Sequence, residues 1–291
     1  MRCLDSIPVR EDIQVLVIDD CSPGSDNYLE KYPALSRPFL EFYRTPAGGS
    51  AGRARNIGLD HAKGKWIICM DADDFFVDNM EEILDAARDR TEDILFHNYI
   101  PVKNSDLSTP GKRDWYRKYF KEYETDGDER WFRYRFESLA GKIFRHGLIQ
   151  EHGIRFDETR YSNDVAFSFK CGTYAKTIAV IDKDLFVVTE REGSLAASQF
   201  TDHKASPEEY RTRLGVMLDV CRFKDSKRIR IDLIPRKYSF SFFLDWPREF
   251  LRYYFSEIVP HFPRYALPIL CYVAWKYFRR KLVGFYHLFK H

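Results

Sequence analysis

The stretch KWIICMDADDFF at residues 65–76 places three carboxylates directly after a run of apolar residues. The run at 65–70 predicts a strand buried on both faces, and Asp71 and Asp73 share one side of the chain if it stays extended. Hard cations such as Mg2+ and Mn2+ prefer oxygen ligands, commonly carboxylates together with phosphate oxygens. Because open α/β sheets bind ligands beyond the carboxyl ends of their strands, this stretch indicates a metal–diphosphate site. A solvated acidic turn ahead of the next helix is the alternative.

Strand-forming and helix-forming segments alternate over the first 200 residues, which predicts an α/β domain with a mostly parallel sheet flanked by helices. The predicted strands occupy residues 13–18, 39–44, 65–70, 93–99, 177–181 and 185–189, and the predicted helices residues 80–90, 143–151 and 163–171. A glycine-rich segment at 48–58 opens a further helix that ends near residue 62. Residues 104–135 show no pattern that assigns them.

The chain from residue 228 onward differs in charge and composition. It carries twelve Lys/Arg against four Asp/Glu, a balance of +8 in a chain of net charge +2, and eighteen aromatic residues. We expect a first domain at 1–200 to be followed by a helical extension at 201–291, whose basic part binds a polyanion, either nucleic acid or an anionic membrane. The longest uncharged stretch, residues 265–275, is too short to span a bilayer, which takes roughly twenty apolar residues. Amphipathic helices at the membrane surface are the prediction, and an aromatic helical bundle packed on the first domain is the alternative.

The six cysteines are scattered, without a CxxC pair or zinc spacing. The first residues contain no apolar segment of the kind found in signal peptides. These features predict a reduced, cytoplasmic chain, associated with the inner face of the membrane through the extension.

The chain resembles the family 2 nucleotide-sugar glycosyltransferases of the GT-A fold in four segments. These are VLVIDDCSPGS, GGSAGRARNIGLDHAKGKWIICMDADDFF, LAGKIFRHGLIQEHGIRFDETRYSNDVAF and EREGSLA, which occur in the family's order and at close to its spacing. The resemblance implies a Rossmann-like GT-A domain and an inverting, metal-dependent enzyme. Such an enzyme moves a sugar from a nucleotide donor, most naturally UDP-linked, to a hydroxyl of a surface glycan or lipid-linked oligosaccharide. No QxxRW motif follows Asp164, so non-processive transfer is expected.

The resemblance assigns four residues to the nucleotide. Asp19 and Asp20 match the pair that binds the base and ribose, and an ionised carboxylate can accept from a uracil N–H or a ribose hydroxyl. Arg53 and Arg55 match positions near the nucleotide, and guanidinium groups suit phosphate. An ordinary surface helix would also carry these arginines.

The resemblance further assigns the metal ligands and the base. Asp73 matches the direct ligand of a divalent ion, Mn2+ or Mg2+, and Asp71 reaches the ion through water or binds the ribose. Asp164 matches the base that deprotonates the acceptor hydroxyl. Its neighbour, usually Glu in the family, is Asn163.

Four further residues have weaker assignments. Asp157 and Glu158 lie near Asp164 in sequence and compete with it as the base. Lys142 and Arg191 match basic positions that contact phosphate or acceptor.

One family feature is missing. The chain starts at RCLDSI, which resembles the end of the helix that follows the family's first strand, so we expect that strand to be absent. Either the true start lies upstream, or the base pocket is incomplete, and in the second case a catalytically impaired remnant or a membrane-bound scaffold of the same fold is the alternative function.

Other classes fit the motifs less well. A response-regulator receiver domain would need a phosphoacceptor aspartate followed by a Pro/Gly turn, and a haloacid dehalogenase would need Gly-Thr after its DxD. Nucleic-acid binding is disfavoured because many aromatics of the extension cluster with aliphatic residues, which suits packing or lipid better than stacked bases.

Overall fold

A computed structural model describes residues 2–23, 33–45, 47–112, 114, 116–191 and 205–288. The chain divides into two compact units, Met1–Ala197 and Ser198–His291. The boundary between them lies in residues 192–204, outside the described part.

The first unit contains two sheets. Strands β1 (Val15–Asp19) and β2 (Leu40–Arg44) pair in parallel. The second sheet contains β3 (Trp66–Ile67), β4 (Phe75–Phe76), β5 (Ile94–Lys103), β6 (Asp106–Pro110), β7 (Lys142–Arg145) and β8 (Ile178–Glu190). Its order is β3-β7-β5-β8-β4, with β6 on β5. The α/β class is confirmed, but the sheet is mixed: β5 and β8 pair in parallel along their length, and the other pairings are short and antiparallel.

Helices surround these sheets. They are α1 (Arg2–Asp5), a 3-10 turn (Pro33–Ser36), α2 (Ala51–His61), α3 (Met80–Arg88), α4 (Arg117–Asp126), α5 (Arg130–Arg135), α6 (His146–Glu151) and α7 (Val165–Tyr174). The core is rich in aromatic side chains that are at most 2% exposed, among them Phe96, Phe132, Phe136, Phe144, Phe167 and Phe186. Because burying one such side chain contributes about 1.5–3 kcal/mol, this cluster accounts for much of the driving force for folding.

The apolar run before the carboxylates is not the fully buried strand that its composition predicts. Only Trp66 and Ile67 are paired, and residues 66–70 are half-buried. The reason is position: β3 is the edge of its sheet and pairs with β7 on one side. An apolar composition signals contact with the core but does not reveal whether a strand is central or at an edge.

Two further predictions are corrected by strand pairing. Residues 142–145, predicted from 143 onward as helix, form β7 because they pair with both β3 and β5. The helix is confined to α6. The two strands predicted at 177–181 and 185–189 are one strand, β8, whose register against β5 shifts near His97 and Asn98. Such an irregularity locally breaks the alternation that marks a strand in sequence.

The second unit is helical. It contains α8 (Pro207–Ser226), α9 (Arg236–Asp245), α10 (Pro247–Tyr253), a π-helical turn (Tyr254–Ile258), α11 (Val259–His261) and α12 (Pro263–Leu288). Its own core is centred on the fully buried Phe242, Phe250, Ile258 and Ile269. In the described part of the chain, no helix is both long and apolar enough to cross a membrane.

Candidate active site

The three carboxylates after β3 converge in space. One carboxylate oxygen each of Asp71, Asp73 and Asp74 lie within 4.8 Å of one another. Asp74 is buried and accepts the Thr189 N–H at 2.8 Å, while the carbonyl of Asp73 accepts from the Thr189 hydroxyl at 3.0 Å and from the Arg2 guanidinium at 2.9 Å. These bonds fix the backbone of the turn, so the Asp73 side chain is left half-buried and that of Asp71 exposed.

The chemistry of this cluster fits a hard divalent cation. Carboxylate oxygens are the ligands that Mg2+ and Mn2+ prefer, and no soft sulfur ligand belongs to the group. Carboxylates this close also repel one another when ionised, and a cation between them relieves that repulsion. Asp71 and Asp73 can therefore hold a metal, and Asp74 supports their turn.

Asp19 and Asp20 tie the end of β1 to neighbouring loops. Both oxygens of the Asp20 carboxylate lie 3.1 Å from the Gly49 N–H donor, in the loop before α2. The Asp19 carboxylate accepts the Ser22 N–H at 3.2 Å and pairs with Arg44 at 3.4 Å. Through Asp20, the end of β1 lies beside the glycine-rich segment.

The start of α2 presents Arg53. The helix is capped by Ser50, whose hydroxyl accepts the Arg53 N–H at 3.2 Å. A Cβ at Gly49 would lie 2.7 Å from Cδ of Arg53, so the loop passes close to the arginine stem. Arg53 is half-buried in the first turn of the helix.

Arg55 joins the acidic cluster to the loop before α7. Its Nη2 donates to Oδ1 of Asp71 at 2.6 Å, and its Nη1 donates to Oδ1 of Asn163 at 2.6 Å. The guanidinium also lies over the Phe156 ring, 5.6 Å from its centroid. Through Arg55, Asp71 and the residue next to Asp164 share one hydrogen-bonded group.

Asp164 stands at the start of α7 and is half-buried. Burial raises the pKa of its carboxyl above the usual aspartate range, and Asp71 adds to the rise while Arg55 and Lys142 oppose it. A raised pKa makes the ionised carboxylate a stronger proton acceptor.

The competing bases sit differently. The exposed Glu158 accepts a hydrogen bond from Asn56 at 3.3 Å. Asp157 donates its backbone N–H to the Asn163 carbonyl at 3.2 Å. Asp164 directly follows Asn163, the partner of Arg55, whereas Asp157 and Glu158 do not.

The backbone is strained close to Asp20 and close to Asp164. Cys21, directly after Asp20, has φ 59°, and Ser162, two positions before Asp164, has φ 56°. Non-glycine residues rarely adopt this left-handed conformation, and those that do cluster at functional sites.

Lys142 does not reach the surface, which corrects the expectation that it contacts phosphate or acceptor. Its side chain is 2% exposed, and its ammonium donates to the Phe136 carbonyl. The nitrogen lies 5.6, 4.9 and 6.0 Å from the ring centroids of Phe96, Phe136 and Phe144. Burial lowers the pKa of Lys142 to about 7.

Arg191 is exposed at the end of the described segment. Most of the motif EREGSLA, from residue 192 on, lies outside the described residues.

Sequence reasoning missed three contributors to this site. Arg2 and Thr189 hold the turn of Asp73 from 71 and 116 positions away along the chain, and no local signal points to them. Asn163 stood out as a departure from the usual Glu, but its bond to Arg55 could not be read from the sequence.

Comparison with known proteins gives the family of this chain. The family model "Glycosyl transferase family 2" matches residues 2–153. Over 207 residues the chain is 28% identical to the poly(ribitol-phosphate) beta-N-acetylglucosaminyltransferase TarS of Staphylococcus aureus, covering 69% of this chain and 34% of TarS. Over 205 residues it is 28% identical to the poly(ribitol-phosphate) beta-glucosyltransferase of Bacillus spizizenii, covering 66% of this chain and 30% of that protein. The chain thus spans about a third of the length of these relatives.

A solved structure shows the same fold. The crystal structure of S. aureus TarS residues 1–349 in complex with UDP-GlcNAc superimposes with a TM-score of 0.55 at 21% identity, covering 89% of this chain and 70% of that one. The family match covers more than half of the present chain, and the resemblance noted in its motifs is confirmed. The chain belongs to glycosyl transferase family 2 and has the GT-A fold.

Proposed function

We propose that this chain is an inverting, metal-dependent, non-processive glycosyltransferase that uses a nucleotide-sugar donor, most naturally a UDP-sugar. The observation that carries the proposal is the link from Asp71 through Arg55 to Asn163, beside Asp164. This link connects a carboxylate cluster that could hold a metal ion with the segment of Asp164, whose pKa burial raises, and it thereby supports the proposal. The UDP-GlcNAc present in the related TarS structure supports a UDP-linked donor.

The donor half of the reaction uses the acidic cluster and α2. Asp73, with Asp71, would hold a divalent ion that neutralises the charge building up on the departing nucleoside diphosphate. Asp19 and Asp20 bind the base and ribose, because carboxylates accept from N–H and hydroxyl donors. Arg53, at the start of α2, adds positive charge for the diphosphate.

The acceptor half uses Asp164. Its carboxylate takes the proton of the acceptor hydroxyl as that oxygen attacks the anomeric carbon, and the bond to the diphosphate oxygen breaks on the opposite side. A single displacement of this kind inverts the configuration at the anomeric carbon. The pKa of Asp164, raised by burial, suits it to this proton transfer.

The acceptor is a hydroxyl of a surface glycan or a lipid-linked oligosaccharide in this proposal. Two relatives carry names that state transfer to poly(ribitol-phosphate), a hydroxyl-rich polymer. An acceptor with hydroxyl groups suits a base that removes a proton from a hydroxyl. The names of these relatives support this class of acceptor and not one particular compound.

The second unit supports a place at a membrane surface. On α12, Leu267, Trp275 and Phe278 fall on one helical face and are 66%, 52% and 66% exposed, opposite the buried Ile269 and Val273. Basic residues on the same helix are Arg264, Lys276, Arg279 and Arg280. Exposed apolar side chains together with several cations on one helix are typical of helices that lie on anionic membranes.

Calorimetric titration of UDP, GDP and CDP, with and without Mn2+, tests the proposed function first. We expect Mn2+-dependent binding of UDP and, with a UDP-sugar and a hydroxyl acceptor, a product whose anomeric configuration by NMR is opposite to that of the donor. Retention of configuration would contradict the single displacement. Absence of binding for every nucleotide would favour the impaired remnant or scaffold.

A further inference from the structure

The loop that carries Asp164 is docked on one face of α2. A Cβ at Gly52 would lie 2.0 Å from the carbonyl oxygen of Asp157, so only glycine permits this approach. One turn further along, Asn56 donates to the Phe156 carbonyl at 3.0 Å and accepts the Phe156 N–H at 2.9 Å. Residues three and four apart share a helical face, so these contacts form one continuous junction.

Arg55 lies in the same junction and extends it to the acidic cluster. Its side chain is 17% exposed, and each of its two terminal nitrogens is bonded at 2.6 Å, one to Asn163 and one to Asp71. Asn163 is itself buried and donates to the Thr159 carbonyl at 3.3 Å. The Phe156 ring under the guanidinium restricts its tilt. A planar fork fixed at three points holds its partners in defined directions.

The residue type at position 163 determines which bonded partner of Arg55 carries a negative charge. An asparagine oxygen is a neutral acceptor, so among the bonded partners Asp71 alone supplies negative charge to Arg55. Both hydrogen bonds are charge-assisted because the Arg55 donor is ionised in each, but only the bond to Asp71 also joins opposite charges. With one Asp71 oxygen engaged in this way, direct ligation of a cation falls mainly to Asp73.

We infer that Arg55 and Asn163 are positioning residues that fix the donor-side carboxylate Asp71 against the acceptor-side Asp164. The inference rests on the proposed function and deepens it. The pair sets the rate of turnover rather than the affinity for the nucleotide. Both residues act through others, because Arg55 orients Asp71 and Asn163 anchors the segment that leads into α7.

The variant Asn163→Ala tests this inference. It removes the acceptor oxygen of Arg55 and leaves Asp71, Asp73 and Asp164 in the sequence. We expect kcat for sugar transfer to fall about ten- to hundredfold, the factor corresponding to one lost hydrogen bond to a charged group. The Mn2+-dependent affinity for UDP should stay within about twofold of wild type. The control is Arg130→Lys, which alters an exposed arginine bonded to Asp128 and should leave kcat unchanged.

Arg55→Lys is a second variant, which tests the inference if Asn163→Ala does not fold. A lysine has a single nitrogen and cannot bridge Asp71 and Asn163 as the fork does, so kcat should fall by a similar factor. The double variant should be no slower than the slower single variant, because both changes break one connection. Multiplicative losses would show that the residues act independently and would overturn the inference.

The outcomes separate this inference from the proposed function. A wild-type chain without sugar transfer would contradict the proposed function itself. An active wild type with Asn163→Ala equally fast would overturn only the positioning role. A parallel loss of UDP affinity and turnover would place the pair in donor binding and would also overturn the inference.

Discussion

Asp73 combines a fixed backbone with a half-exposed carboxylate. Its carbonyl is held by Thr189 and Arg2, so the side chain is the part of the residue left for a ligand. We expect Asp73→Asn to lower metal-dependent donor turnover by about a hundredfold or more, because it removes one charge from the metal ligands. Nucleotide release measured against Mn2+ concentration checks this, with Asp60→Asn as a surface control. Full activity in Asp73→Asn would show that the metal assignment is wrong.

For Asp164 we predict an effect on the rate of the chemical step and none on nucleotide binding. Asp164→Asn should leave UDP affinity nearly unchanged and lower kcat by about 10²–10⁴-fold, the usual contribution of a general base. In the wild type, burial raises the pKa of Asp164, so kcat should decline as pH falls through a pKa above the usual aspartate range. A kcat that stays constant down to the pH at which an ordinary aspartate is protonated would exclude Asp164 as the base, as would a comparable loss of UDP affinity.

Lys142 makes stability depend on pH. Its folded pKa of about 7 lies below the ordinary value of 10.5, so between these values the unfolded chain binds more protons. The resulting contribution to the free energy of unfolding rises with pH by roughly 1.4 kcal/mol per unit in this range. Lys142→Met lacks this contribution. Its free energy of unfolding should therefore fall behind that of wild type by about 2–3 kcal/mol as the pH rises from 7 to 9.

Urea unfolding of both proteins at pH 7 and pH 9 measures this difference. The exposed Lys121→Met serves as the control for loss of a lysine. A stability difference between Lys142→Met and wild type that is the same at both pH values would show that Lys142 does not titrate in this range.

At the scale of elements, the junction between α2 and the Asp164 loop rests on one glycine. In Gly52→Ala the new Cβ would meet the Asp157 carbonyl at 2.0 Å, so the helix and the loop must separate. We expect a loss of about 1–3 kcal/mol in the free energy of unfolding, together with reduced turnover.

The same helix supplies the control for this substitution. At Gly58 a Cβ would meet only Cγ1 of Ile18 at 3.8 Å, an ordinary contact, so Gly58→Ala should stabilise the helix by roughly 0.5–1 kcal/mol. Denaturant unfolding of the two variants compares them directly. Equal stability of Gly52→Ala and wild type would mean that α2 and the loop are not in close contact.

At the scale of the whole molecule, the exposed face of α12 predicts binding to anionic lipid. The double variant Leu267→Glu/Phe278→Glu should abolish sedimentation with phosphatidylcholine–phosphatidylglycerol vesicles, because it places charge on the apolar face. Wild-type binding should weaken as salt screens the basic residues. Leu107→Glu, an exposed leucine of the first unit, is the control. Undiminished sedimentation of the double variant would exclude this face as the contact.

Local patterns of residues were sufficient to predict the class of fold and the kinds of residue at the site. Carboxylates after strands, a glycine-rich helix start and a basic aromatic extension are signals carried within a few neighbouring residues, and the α/β class and the family followed from them. Three features became evident only in the folded chain: β3 is an edge strand, Lys142 is buried, and Arg55 bonds Asn163, 108 positions away. Such contacts depend on which strands pair and which faces pack together, and periodicity along a chain records only that a face is buried, not what it is buried against.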